Sequence, residues 1–224
     1  MLPRIYFSDR LRTTHKIVFS LIGAQIGWGY TTEQTVNTNY FGPRRVNDAF
    51  GKFLLRPGGR IVNVASASGP NFVADLDSSK DKELELKLSK PWTIEGGIAE
   101  VDEIAKTHSF SNGYGYSKAL LNAYTVLHAK EEVGQLLINS CTPGWIATDL
   151  TAGTGAKNPP SKGAVPPCWL VMSQPGDASE HGPKFQLDDR GSTGRYYGSD
   201  CIRSPLDCYR GPGDAPYVND EDIM

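Results

Sequence analysis

The sequence predicts an α/β fold: a parallel sheet with helices on both faces. Three short apolar runs, residues 16–23, 60–65 and 136–141, are typical of buried strands. Between them, residues 31–55 and 114–130 carry apolar side chains at helical spacing. Strands that alternate with helices in this order form the βαβ units of a parallel sheet.

The boundaries of these elements follow from local signals. Thr31 and Thr32, followed by Glu33 and Gln34, predict a helix start, and Pro57 marks where that helix has ended. After the third strand the pattern weakens, and only residues 164–172 suggest a further helix. Residues 194–197 suggest a last short strand.

The domain organisation that we expect is one domain over residues 1–197. Residues 1–14 form an N-terminal extension in this interpretation, and the charged segment 70–110 is an insert with helical patterns at 80–90 and 93–106. Residues 198–224 are rich in glycine, proline and aspartate, which predicts an irregular C-terminal tail.

Composition excludes several classes of partner. Lys and Arg number 23 against 25 Asp and Glu, so a net charge of -2 gives no electrostatic reason to expect nucleic acid or an anionic membrane. The four cysteines show neither a C-x-x-C pair nor the spacing of a metal site. We therefore expect no metal, free thiols and a reducing compartment, the cytoplasm.

The N-terminal region allows a second interpretation. Arg4, Arg10 and Arg12 precede the apolar run Ile17–Ile22, which faintly resembles a signal peptide. Asp9 and the glycines that follow the run favour a buried strand instead.

Tyr114 and Lys118 are the candidate reactive pair. Side chains four positions apart lie on the same face of a helix, so the lysine ammonium can approach the tyrosine phenol and favour its ionised form. Such a tyrosine can donate or accept a proton near neutral pH. The spacing alone also fits two unrelated side chains on a surface helix.

Gly23, Gly27 and Gly29 form a second candidate site. They lie between the first predicted strand and the first predicted helix, where a glycine-rich turn lets the backbone approach a phosphate at a helix N-terminus. In a chain with 24 glycines such a triple also arises by chance.

Four ordered motifs resemble those of the short-chain dehydrogenase/reductase family, and within it the carbonyl-reductase-like members with a long insert before the tyrosine. The resemblance covers residues 31 to about 172 and implies a Rossmann-like fold. The matching segments are Asn37-Thr-Asn39-Tyr-Phe-Gly42, Gly58-Gly-Arg-Ile-Val-Asn-Val-Ala-Ser66, Tyr114-Gly-Tyr-Ser-Lys118 and Cys141-Thr-Pro-Gly-Trp-Ile-Ala-Thr148-Asp149.

The resemblance assigns a role to each catalytic candidate. Tyr114 would exchange a proton with the substrate oxygen, Ser66 would hold that oxygen, and Lys118 would lower the tyrosine pKa and bind the nicotinamide ribose. Asn39 would hold a water that relays protons to Lys118. The alternatives are a cap or turn for Ser66, a solvated side chain for Lys118 and a plain polar helix residue for Asn39.

The resemblance also implies a cofactor, NADP or NAD, with NADP slightly preferred. Pro143, Gly144 and Thr148 would line the nicotinamide pocket, Lys118 would reach the ribose, and the three glycines would face the pyrophosphate. An ordinary strand-to-loop turn is the alternative for the segment 143–148.

The chain departs from the family where the rest of the cofactor site belongs. Residues 30–38 are all that separate Gly29 from Asn39, where the family has several βα units. We therefore expect a truncated or internally deleted sheet. Either the first strand takes the vacant place beside residues 60–65, or the sheet keeps an exposed edge.

Three functions remain open at this stage. The first is an NAD(P)-dependent oxidoreductase that interconverts a small carbonyl compound and its alcohol. Its insert resembles the one that covers the usual dimer surface in carbonyl reductases, so the resemblance implies a monomer. The second is a catalytically inactive family member that binds a partner or has no function. The third is an unrelated small α/β binding module.

Overall fold

A computed structural model describes residues 29–173 and 193–217, together with the backbone of residues 18–22, 178–179 and 182–184. Within these ranges the helices and strands are β1 (Val18–Ile22), α1 (Thr32–Val36), α2 (Gly42–Phe50), β2 (Gly59–Val64), α3 (Ser68–Ala74), α4 (Lys82–Ser89), α5 (Gly97–Thr107), α6 (Gly113–Glu131), β3 (Leu136–Cys141), α7 (Pro160–Gly163), α8 (Val165–Met172), β4 (Ala178–Ser179), β5 (Gly182–Lys184) and β6 (Tyr196–Tyr197).

Four of the strands form one parallel sheet in the order β1-β2-β3-β6. Its register places Ile22 opposite Val64, Val64 opposite Cys141, and Cys141 opposite Tyr197. The carboxyl ends of all four strands therefore reach the same edge. β4 and β5 pair separately as a short antiparallel ribbon.

The first strand takes the place beside the second. β1 pairs directly with β2 along its whole length, and no other described strand lies between them. Of the two arrangements that the sequence left open, this is the compact one. The predicted parallel α/β sheet is confirmed.

Helices cover both faces of the sheet, as the alternation of side chains along β2 shows. Ile61 packs with Ala129 of α6, and the Asn63 amide donates to Thr125 Oγ1 of the same helix at 2.9 Å. Val62 points to the opposite face, where it packs with Leu170 of α8. This period of two is what a strand buried on both faces requires.

The helix predicted after residue 31 is a continuous helical segment with an irregular centre. Thr31 caps α1 through a capping box with Gln34. Between α1 and α2 the residues Asn37–Phe41 form a π-helical turn. The sequence pattern predicts the segment but gives no sign of this turn.

The segment 70–110 packs into the main core. α4 lies within the pattern predicted at 80–90, and α5 falls in the pattern predicted at 93–106 but ends one residue later. Leu84, Leu88 and Val101 join the same apolar cluster as α6. Asp102 of α5 accepts hydrogen bonds from the Tyr40 hydroxyl at 2.6 Å and from Arg44 Nε at 3.0 Å. This part of the chain is thereby tied to the helical segment that carries Asn39.

Residues 198–217 contain no helix or strand, but they are not a free tail. Cys201, Ser204 and Arg210 are buried, and the Ser204 amide donates to the Tyr196 carbonyl at 2.9 Å. A tail would expose these groups to solvent, so the expectation of a tail is corrected for this part, while residues 218–224 lie outside the described ranges. None of the described helices combines the length and apolar character that crossing a bilayer needs.

Two glycines allow α3 to lie against α6. A Cβ added to Gly69 would stand 3.0 Å from the Lys118 carbonyl carbon and 3.1 Å from the Ala119 nitrogen. A Cβ on Gly115 would meet Phe72 Cβ and the Ser68 carbonyl oxygen at 2.9 Å. The close contact of the two helices therefore depends on the absence of side chains at both positions.

We expect Gly69→Ala to destabilise the fold. Its methyl group would press on the backbone of α6, and overpacking of this kind costs about 1–3 kcal/mol. Gly51→Ala is the matched control, because a Cβ there has no atom within 4 Å. Urea unfolding of both variants measures the effect, and equal stabilities would contradict the proposed packing constraint.

Candidate active site

Ser66 and Tyr114 meet at the carboxyl edge of the sheet. Ser66 follows β2 and its hydroxyl hydrogen-bonds to the Tyr114 side chain, which projects from the first turn of α6. Ser66 Oγ also accepts a hydrogen bond from the Ser68 amide at 3.2 Å, which fixes the serine at the start of α3. The structure thus brings together two side chains that are far apart in the sequence.

Lys118 lies beneath this pair and is 1% exposed. Its ammonium donates to the Val64 carbonyl at 3.0 Å and stands 5.7 Å from the centroid of the Tyr114 ring. Burial lowers the pKa of Lys118 to about 8, although the neighbouring Cys141 thiol acts in the opposite direction. As the helical spacing predicts, the two side chains lie close together. The lysine ammonium approaches the face of the Tyr114 ring and the carbonyl at the end of β2.

The pKa of Tyr114 is raised from its ordinary value. Burial is the larger cause, and the hydrogen bond from Ser66 opposes it. The sequence led us to expect a pKa lowered by Lys118. The structure differs because the phenol is desolvated while the lysine ammonium is engaged with the Val64 carbonyl.

Asn39 lies in the π-helical turn and is fully buried. Its amide donates to Ser117 Oγ at 3.1 Å, and Ser117 Oγ donates to the Tyr114 carbonyl at 2.8 Å. Asn39 thus contacts α6 beside the reactive pair. The contact is made from within the π turn, which the helical pattern of the sequence does not predict.

The loop after β3 reaches the same edge. Gly144 adopts a φ of +85°, and its amide donates to Thr142 Oγ1 at 3.2 Å. Pro143 and Gly144 are half-buried, whereas Thr148 is exposed and forms a capping box with Thr151. The turn conformation at Gly144 suits glycine because other residues are strained at positive φ.

The glycine motif is described only in part. Gly29 is exposed, with a φ of +78°, two residues before the cap of α1. Gly23 and Gly27 lie outside the described residues.

Sequence reasoning missed Tyr196, a buried residue of β6 that lies beside the reactive pair. Burial raises the pKa of Tyr196, and the nearby phenols of Tyr209 and Tyr114 act in the same direction. The only available signal was its place at the end of a predicted strand, where parallel sheets gather functional residues.

Two cavities lie away from this site. One of about 400 Å³ separates α1 from the residues after α5 and is lined by Val36, Phe41 and His108. One of about 210 Å³ lies beside α4. In the described ranges no group of three or more His, Cys, Asp or Glu side chains is placed to hold a metal ion.

Fold and geometry define a class: a parallel α/β protein that gathers a serine, a tyrosine and a lysine at the carboxyl edge of its sheet. Two carbonyl reductases are similar to this chain in sequence, and one solved reductase is similar in fold. No protein-family model matches the chain. Carbonyl reductase (NADPH) 1 of Homo sapiens is 29% identical over 161 residues, which are 67% of this chain and 57% of the human protein.

Two further proteins are similar to this chain, one in sequence and one in fold. Carbonyl reductase (NADPH) 1 of Macaca fascicularis is 30% identical over 169 residues, 70% of this chain and 60% of that protein. Salutaridine reductase from Papaver somniferum superimposes with a TM-score of 0.54 at 20% identity, over 74% of this chain and 54% of that chain, which supports the fold. The resemblance to carbonyl reductases that the motifs predict is thus confirmed over 67–70% of this chain, which spans somewhat more than half the length of these relatives.

The burial of Lys118 predicts a distinct dependence of stability on pH. Below pH 8 the lysine is charged in both the folded and the unfolded state. Burial of this charge then lowers the free energy of unfolding by its full amount. Between pH 8 and 10.5 the folded protein loses this proton first, so stability rises with pH. The depressed pKa corresponds to a cost of roughly 3 kcal/mol below this window.

Lys118→Met removes the titrating group. We expect the free energy of unfolding of the variant, relative to the unmodified protein, to fall by about 3 kcal/mol between pH 7.5 and 10.5. Urea unfolding at several pH values measures the difference, with exposed Lys130→Met as the control on the same helix. A difference that does not change with pH would contradict the burial of a charged Lys118.

Proposed function

We propose that this chain is an NADP(H)-dependent oxidoreductase that interconverts a small carbonyl compound and its alcohol. The observation that carries the proposal is the contact of Ser66 with Tyr114 above the buried Lys118 at the carboxyl edge of the sheet. The similarity to NADPH carbonyl reductases supports NADP over NAD. We also propose that the chain acts as a monomer in the cytoplasm.

The residues present fit the nicotinamide end of the cofactor. Gly144 leaves the backbone of the loop after β3 free of a side chain next to the reactive pair, and Lys118 is buried at the same edge. Pro143, Thr148 and Lys118 complete the proposed binding set, and Gly29, with Gly23 and Gly27 in the sequence, would face the pyrophosphate. When bound, the cofactor supplies or accepts the hydride.

Tyr114 is the proposed general acid in reduction. Its raised pKa keeps the phenol protonated at neutral pH, as proton donation to a carbonyl oxygen requires. Ser66 donates a second hydrogen bond and so fixes the position of that oxygen. Lys118 holds a positive charge behind the ring, which stabilises the phenolate that proton donation leaves.

Asn39 completes the proposed set as the residue that links α1 and α2 to the reactive helix. Its contact with Ser117 holds the first turn of α6, where Tyr114 begins. In the proposed function Asn39 would hold a water that relays a proton to Lys118 and from there to the Tyr114 phenolate, which replaces the proton that Tyr114 donates.

A second candidate is a family member without catalytic activity that acts by binding. Two observations favour it: the chain spans 57% of the human relative, and β1 occupies the place directly beside β2. In this arrangement the described residues offer the adenosine half of a dinucleotide no βα unit of its own.

Tyr114→Phe tests the catalytic proposal. Loss of the phenolic proton should lower kcat for NADPH-dependent carbonyl reduction by a factor of about 10² to 10⁴. Tyr116→Phe is the matched control. Tyr116 lies two positions after Tyr114 on the same helix, and its hydroxyl donates to the Ile104 carbonyl at 2.7 Å. Equal activity of the Tyr114 variant and the unmodified protein in an aldehyde, ketone and quinone panel would exclude Tyr114 as the acid.

Cofactor binding separates the two candidates. At an NADPH concentration 100 times its Kd, binding to the folded state adds about 2.7 kcal/mol of stability. For a chain of this size that shifts Tm by roughly 5–10 °C. Thermal unfolding with NADPH, with NADH and without ligand measures the shift. We expect a larger shift with NADPH, whereas no shift with either nucleotide would favour the inactive binding protein.

A further inference from the structure

The segment 198–217, which we call the C-terminal loop, covers the turn that follows β3. Ser199 lies so close to Gly144 that a Cβ on the glycine would stand 3.1 Å from Ser199 Cβ and 3.4 Å from its Oγ. The Thr142 amide donates to the Tyr197 carbonyl at 3.0 Å, which joins the two segments just before this contact. The loop after β3 is therefore packed against the C-terminal loop at the edge where Tyr114 lies.

A buried ion pair closes the C-terminal loop on itself. Arg210 Nη2 pairs with Asp200 Oδ2, and the two side chains are 5% and 16% exposed. Arg210 Nη1 also donates to the Gly211 carbonyl at 2.8 Å, and the Arg210 amide donates to Ser204 Oγ at 2.9 Å. A guanidinium buried to this extent is strongly destabilising without its carboxylate, so the pair determines the shape of the loop.

The ion pair of Asp200 and Arg210 restrains Ser199, which precedes Asp200 in the sequence. Asp200 Oδ1 accepts from the Ile202 amide at 3.2 Å, and the Gly198 amide donates to the Ile202 carbonyl at 2.7 Å. Ser199 lies inside this turn and has little freedom to move away from Gly144. On the other side of the loop, the Tyr209 ring packs edge-on against Tyr196 with centroids 6.4 Å apart.

We propose that Asp200 and Arg210 are positioning residues, which hold Ser199 against Gly144 and so fix the backbone of the loop that would meet the nicotinamide. The consequence for catalysis rests on the proposed function, whereas the consequence for the loop does not. Neither side chain needs to touch the cofactor or the substrate for this role.

Hydrogen exchange tests the effect on the loop. In Arg210→Met and Asp200→Ala we expect exchange of amides in residues 142–148 to accelerate at least about tenfold, as the loss of a charged hydrogen bond allows. Exchange in β2 is the internal reference. The control variant is Arg56→Gln, which removes an ion pair with Glu132 at the opposite, amino-terminal edge of the sheet.

The double variant Asp200→Ala with Arg210→Met separates positioning from stability. It removes both charges and leaves no buried charge unpaired, so it should recover most of the lost stability while the loop still exchanges rapidly. Exchange of residues 142–148 at the original rate in the double variant would overturn the proposal. Recovery of stability without recovery of slow exchange supports it.

Steady-state kinetics tests the consequence for the reaction. We expect KM for NADPH to rise about tenfold in the double variant while kcat changes less, because the acid-base pair lies on other elements. An unchanged KM with fast loop exchange would overturn the catalytic part of the proposal. If the unmodified protein neither binds nor oxidises NADPH, the proposed function fails, and the exchange rates alone decide whether the ion pair positions the loop.

Discussion

The burial of Lys118 is the constraint on which the candidate site depends. A lysine ammonium in the core is tolerated only where it finds a partner, and the Val64 carbonyl at 3.0 Å supplies one at the last residue of β2. This bond ties the first turns of α6 to the end of the strand that leads into Ser66. The serine, the tyrosine and the lysine are therefore held by one contact between a helix and a strand end.

Close packing of α3 on α6 completes that arrangement. Gly69 and Gly115 let the helices approach, and α3 begins two residues after Ser66, so the packing of α3 sets where the serine points. The desolvation that raises the pKa of Tyr114 and lowers that of Lys118 follows from the same packing. Geometry and electrostatics at the site thus have a common origin in how tightly the core is closed.

The sequence predicts those parts of the fold that have a local period. The strand Leu136–Cys141 and the helix around Tyr114 follow directly from their apolar patterns, and the Tyr-Lys spacing follows from the helix. The helix Ser68–Ala74 does not, because its serine, glycine, proline and asparagine favour a turn and only packing on α6 makes it helical. The π turn at Asn39 and the pairing of Asp200 with Arg210 also depend on contacts that no local pattern contains.

The position of β1 affects the two parts of the proposed site differently. One part is the set of Ser66, Tyr114 and Lys118, and the other is the dinucleotide-binding part. Ser66, Tyr114 and Lys118 contact one another and residues of β2, α3 and α6. These contacts do not require a particular strand at the edge of the sheet. Dinucleotide binding is different, because it uses the order of strands and the loops at their carboxyl ends. Ile22 pairs with Val64, so the carboxyl end of β1 lies at the same edge of the sheet as Ser66, where the proposed cofactor would bind.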